Sequence, residues 1–94
     1  MNEQHVQARN QPTVRPVPVP VRVGATYLHT LRRPGTDVFW LLWHDSITAF
    51  GTVRLVDGKW TTVVWYRVWD NPTSRRQIAE AVTDAHGLHG PVAS

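Results

Sequence analysis

The dipeptide Asp57-Gly58 constrains this chain of 94 residues more than any other feature. It separates two alternating runs, residues 47–56 (ITAFGTVRLV) and 59–69 (KWTTVVWYRVW). A two-residue connection of this composition takes a type I′ turn, whose positive φ angles match the twist of an antiparallel hairpin. A fixed turn fixes the register, and the register assigns every side chain to a face. Leu55 then opposes Trp60, Val53 opposes Thr62, Gly51 opposes Val64, Ala49 opposes Tyr66 and Ile47 opposes Val68. This largely apolar face is expected to carry a helix, over Leu55, Trp60, Tyr66 and Val68. The other face pairs Arg54 with Thr61, Thr52 with Val63, Phe50 with Trp65, Thr48 with Arg67 and Ser46 with Trp69.

Two more strand-like runs precede this hairpin, at 25–32 (ATYLHTLR) and 37–44 (DVFWLLWH). Arg33-Pro34-Gly35-Thr36 between them reads as a type II turn, with proline fixing φ at the second position and glycine accepting positive φ at the third. Asp45-Ser46 is a short connection to the next strand. If it is a two-residue turn, Phe39, Leu41 and Trp43 join Phe50 and Trp65 on the second face. If it is one residue longer, Trp40 and Leu42 take their place. So large an apolar patch calls for a cover or a partner.

Residues 14–23 (VRPVPVPVRV) set prolines at 16, 18 and 20 between valines. As a strand, the segment would lose its donors along one edge only, which blunts that edge against further pairing. As a linker it would be polyproline II. Both readings stand at this level. After Asp70-Asn71-Pro72 the period changes to that of a helix. Ser74 reads as its cap, with Gln77 three residues on. Ile78, Ala81, Val82 and Ala85 form an apolar stripe, and Gly87 fits the position past the helix end. The expected fold is therefore α+β: a four-stranded antiparallel meander with one C-terminal helix on one face and an extended Pro/Val-rich N-terminal arm. The arm is residues 1–23, disordered or extended, with 1–13 as a polar leader. The domain is 24–87 and the flexible tail 88–94. The order of three strands and then a helix is similar in topology to the arm-type DNA-binding modules of phage integrases. No motif carries functional residues across from them.

Composition removes several functions. Without cysteine there is neither a disulfide framework nor a thiolate metal site. The polar start lacks the apolar core of a signal peptide, and the apolar run 38–43 is too short to span a bilayer. A cytoplasmic, non-membrane protein is expected. His86-x-x-His89, with His29 or His44, has no acidic or cysteine ligand at a telling distance, so no metal is expected. His44, Asp45 and Ser46 include the residue types of a triad, but neighbours on one strand and turn point apart. With no glycine-rich phosphate loop and no carboxylate pair, an enzyme, a cofactor and a small-molecule substrate are not expected. Residues 74–82 look like the first helix of a helix-turn-helix, yet Gly87, Gly90 and Pro91 leave no recognition helix after them.

Binding to a macromolecule remains. The net charge is +3, carried by nine arginines and Lys59. Arginine suits phosphate and stacks on aromatic rings. A nucleic-acid surface is expected from Arg32, Arg33, Phe50, Arg54, Trp65, Arg67, Trp69, Arg75 and Arg76, with the last two in the first helical turn, where a phosphate would offset their unfavourable charge. The alternative is a self-associating or protein-binding subunit of phage or mobile-element type. It would use Val17, Val19, Val21, Phe39, Leu41, Trp43, Phe50 and Trp65.

Overall fold

A computed structural model describes residues 17–43 and 48–93. The expected leader, the first part of the Pro/Val segment (14–16), the Asp45-Ser46 connection with His44 and Ile47, and Ser94 lie outside the described residues.

The chain forms an α+β fold, an antiparallel sheet followed by one C-terminal helix. The strands are β1 (Val19–Val23), β2 (Thr26–Arg32), β3 (Val38–Trp43), β4 (Ala49–Val56) and β5 (Lys59–Val64). They pair in chain order, so the sheet is a five-stranded meander. The sequence expectation of four strands is corrected by β1. Val23 pairs with Thr26 across Gly24-Ala25, and Val19 with Thr30. Gly24, at φ +61°, supplies the positive φ that a hairpin with glycine at its first central position needs. The Thr30 hydroxyl reaches the Val19 carbonyl at 3.2 Å, so Val19 turns its polar groups inward and Pro20 faces outward. The donor that Pro20 lacks is thus one the outer edge would otherwise expose.

The other turns follow the sequence. Asp57 and Gly58 have φ of 51° and 79°, and Gly35 has φ of 73° with Thr36 N–H donating to the Arg33 carbonyl at 3.1 Å. The Leu55–Trp60, Val53–Thr62 and Gly51–Val64 pairs form as the Asp57-Gly58 turn requires. The expected fourth strand nevertheless stops at Val64. Residues Arg67–Trp69 make a short 3₁₀ turn, and Trp69 folds back against Trp43 and Phe50. The pairings of Ala49 with Tyr66 and Thr48 with Arg67 are absent, and Tyr66 and Val68 are exposed. The pairings of Ile47 and Ser46 lie outside the described residues.

Helix α1 spans Pro72–Ala85. Its cap is Asn71, not Ser74: the Asn71 Oδ1 accepts the Ser74 N–H at 2.8 Å, and Pro72 takes the first helical position. At the far end the Leu88 N–H donates to the Thr83 carbonyl and the Gly87 N–H to that of Asp84. This is a Schellman closure, with Gly87 left-handed at φ 63°. The buried stripe is Ile78, Ala79, Val82 and Thr83 rather than the expected Ile78, Ala81, Val82 and Ala85. Ala85 is exposed and Ala81 is partly covered.

The helix crosses one face of the sheet from β5 to β1. The Thr62 hydroxyl donates to the Arg75 carbonyl at 2.9 Å near its start. At its end the Thr30 hydroxyl lies 2.6 Å from His86 Nε2. Beneath it lie Val21, Leu28, Phe39, Leu41, Phe50, Val53, Trp60 and Val64, all buried. Leu55 sits on the same face but is exposed at its end. Residues 88–93, read from the sequence as a tail, run back along β5. Pro91 and Ala93 exchange backbone hydrogen bonds with Trp60 at 2.9 Å, and the Trp60 indole N–H donates to the His89 carbonyl at 2.9 Å.

Candidate nucleic-acid interface

A β-bulge decides what the second face of the sheet carries. Leu42 pairs with Ala49, the register that a two-residue connection at 45–46 gives, but Leu41 pairs with Gly51. Phe50 is the extra residue, and a bulge of this kind re-aims the side chains beside it. Phe50 turns under the helix and stacks on Trp43 with ring centroids 4.4 Å apart. Phe39 and Leu41, which pair with Val53 and Gly51, go to the same side and are fully buried. The open face therefore takes Trp40 and Leu42. That is the composition expected from a longer 45–46 connection, but the extra residue stands in the strand.

Strand alternation then assigns the rest of the open face. It bears Arg22 on β1, Tyr27, His29 and Leu31 on β2, and Val38, Trp40 and Leu42 on β3. It also bears Thr52, Arg54 and Val56 on β4, and Lys59, Thr61 and Val63 on β5, with Trp65 following β5. No described element lies across it. Trp40 and Trp65 lean together, with centroids 6.3 Å apart and ring planes at 48°. They flank Thr52, which is only 8% exposed although it belongs to this face. Trp65 itself is 59% exposed and Tyr27 54%. The Arg22 guanidinium sits 5.8 Å from the centre of the Tyr27 ring.

The charge on this face has one sign. None of the five strands contains Asp or Glu. Arg54 and Lys59 stand toward the end of the sheet that holds the Asp57-Gly58 turn. Arg22 stands toward the opposite end, in the register of Tyr27. Aromatic and aliphatic side chains fill the space between. Of the described carboxylates, Asp57 stands in the turn at the Arg54–Lys59 end, and the others lie away from this face. Among the described residues the two ion pairs are Arg32–Asp37 at 3.0 Å and Arg75–Asp70 at 2.7 Å. Glu80 and Asp84 line a broad groove of about 620 Å³ between the helix and residues 88–92, away from the open sheet face.

Of the residues expected to contact nucleic acid, Arg54 and Trp65 share the open face. Phe50 does not, being 4% exposed beneath the helix. Trp69 is half-buried against Phe50, Trp43 and Tyr66. Arg32 is on the helix side, its guanidinium 5.3 Å from the Phe39 ring centre and bonded to Asp37 and the Thr36 carbonyl. Arg33 is exposed in the turn between β2 and β3, Arg67 in the 3₁₀ turn and Arg76 on the helix, while Arg75 is held by Asp70. These do not gather with Arg54 and Trp65. The alternative interface set is likewise divided. Val21, Phe39, Leu41 and Phe50 are buried in the chain's own core and cannot meet a partner, and Val19 and Trp43 are half-buried. Val17 and Trp65 remain exposed.

Sequence reasoning places Val63 on this surface, opposite Thr52, and Trp40 there only through a longer 45–46 connection; it misses Tyr27, Arg22, His29 and Lys59 as members of the same surface. Gly24-Ala25 was the available signal for Arg22 and Tyr27, because a glycine-first hairpin turn there makes β1 a strand. For Trp40 the signal was the Phe50-Gly51 pair, where glycine within a strand marks a bulge.

Burial pushes the His86 pKa below the ordinary 6.5, and the Arg32 charge adds to the effect. Its ring packs on Phe39 at 4.6 Å and meets Thr30, which makes it part of the core seam. No group of three or more His, Asp or Glu side chains gathers as a metal site among the described residues, and no helix among them is long and apolar enough to cross a membrane. Comparison with protein-family models, with curated proteins and with solved structures finds no match for this chain.

Proposed function

We propose that this protein is a non-enzymatic binding module whose open sheet face takes nucleic acid. One observation carries the reading: an uncovered face combines Trp40, Trp65 and Tyr27 with Arg22, Arg54 and Lys59, in a sheet whose strands hold no carboxylate. Aromatic rings offer stacking surface to bases, and the flanking cations offer contacts to phosphate. The helix-start arginines contribute less than their position suggests, because Arg75 already has Asp70 as its partner.

A second reading is self-association through the same face, favoured by the exposure of Tyr27, Val63 and Trp65. Two copies meeting face to face would bring like charges together, since the face carries cations and no matching acids. Charge complementarity thus favours a polyanion.

The test is binding of fluorescently labelled oligonucleotides at two salt concentrations, with the protein's mass measured in parallel by light scattering. Affinity that falls with salt supports the reading, because neutralised phosphates release counterions. Absence of binding together with a dimeric mass overturns it in favour of self-association.

A further inference from the structure

We infer that the open face takes single-stranded nucleic acid and rejects the duplex. The inference rests on the reading of that face as a nucleic-acid surface and adds the form of the ligand.

The first argument is one of shape. Five strands at about 4.8 Å spacing make a platform about 19 Å across. The major groove of B-DNA is about 12 Å wide and admits a helix or a two-stranded ribbon, so a platform of this width stays outside it. The second is one of chemistry. Trp65 and Tyr27 present more than half of their surface to solvent. An aromatic ring gains from a base only by meeting its π-face, which a duplex hides in its own stack. In a single strand that face is available.

The third argument removes the other route to a duplex. The helix buries Ile78, Ala79, Val82 and Thr83 against the sheet. The residues it leaves exposed include Arg76, Gln77, Glu80 and Asp84, two acids against one base. A helix with that outward charge is repelled by the phosphates lining a groove. The face that can stack is cationic, and the element that could enter a groove is not.

The cations set the expected salt dependence. Arg22, Arg54 and Lys59 can neutralise about three phosphates, so the logarithm of affinity for a single strand should fall with the logarithm of salt at a slope of about −2.

The experiment measures binding of the full chain to three labelled ligands of about 12 nucleotides. These are a mixed-sequence DNA strand, its RNA counterpart and the DNA duplex of the same sequence. Two variants accompany the wild type: Trp65→Ala, whose exposed position leaves folding intact, and Arg54→Glu. Supporting results are binding of either single strand at least about tenfold tighter than the duplex, and loss of roughly tenfold or more of that affinity in Trp65→Ala at an unchanged melting temperature. Duplex binding equal to or tighter than single-strand binding, weakened by Arg54→Glu, overturns the single-strand inference and leaves the nucleic-acid reading standing. Failure of all three ligands to bind overturns both.

Discussion

Replacing Gly51 with alanine should damage this fold far more than the size of a methyl group suggests. Gly51 sits at the bulge, between Leu41 on β3 and Val64 on β5. A Cβ built there overlaps the Val63 carbonyl oxygen, with Leu41 Cδ1 at 3.1 Å and the Val64 Cα at 3.2 Å. Two of these three obstacles are backbone of the neighbouring strand, so no rotamer change relieves them. Overpacking of this kind costs about 1–3 kcal/mol. Prising β5 away also endangers the 2.8 Å hydrogen bond from Trp65 N–H to the Phe50 carbonyl, worth about 1 kcal/mol. The sum is about 2–4 kcal/mol, against a total of about 5–15 kcal/mol for a domain of this size. At about 4–8 °C per kcal/mol, the melting temperature should drop by about 8–32 °C. Gly58→Ala is the control. A Cβ there meets nothing within 4 Å, but φ is +79°, so its cost is conformational, about 1–2 kcal/mol. Thermal melts followed by circular dichroism compare the two. A Gly51→Ala variant melting within about 4 °C of wild type, or above Gly58→Ala, would refute the account of close strand approach at the bulge.

Two further predictions separate the core from the open face. Phe50→Ala should cost about 3–5 kcal/mol, since Phe50 is buried against Trp43 and Trp69. Trp65→Ala should stay within about 0.5 kcal/mol of wild type. Urea titrations of both variants check the order, and the reverse order would place Phe50 on the outside. Stability should also decline as pH falls through the ordinary histidine value of 6.5. His86 has its pKa lowered in the folded state, so the unfolded chain binds the proton first and stability present above that value is lost below it. His86→Gln keeps a hydrogen-bonding partner for Thr30 and should flatten the fall in melting temperature between pH 7.5 and 5.5; an unchanged slope would remove His86 as its source.

The candidate surface shows why an aromatic- and arginine-rich sequence does not by itself locate a site. Of the five tryptophans, Trp60 is buried with its indole bonded to the His89 carbonyl. Trp43 and Trp69 pack with Phe50 and Tyr66 on the helix side. Trp40 and Trp65 alone among them reach the open face. The arginines divide in the same way. Arg32 and Arg75 are engaged by Asp37 and Asp70, whereas Arg22 and Arg54 stand on a sheet with no acid in its strands. Composition supplies the residue types, and their partners decide which remain available to a ligand.

What the sequence determined by itself was set by short-range chemistry. Asp57-Gly58 and Pro34-Gly35 dictate their turns because positive φ is available there to glycine and tolerated by Asp57. The change from a two-residue to a helical period after Pro72, closed by Gly87, dictates the helix. Antiparallel pairing of successive strands follows from such short connections. Tertiary structure decided which way the side chains face. In a strand a single extra residue inverts every position beyond it, and the Phe50 bulge did so by sending Phe50, Phe39 and Leu41 inward and Trp40 outward. Tertiary structure also decided that residues 19–23 pair with β2 as an edge strand, and that β5 ends at Val64 so that Trp69 can bury itself against Phe50. Those choices depend on the area that residues distant in sequence bury together under one helix, which the local signals at Gly24-Ala25 and Phe50-Gly51 permit but do not fix.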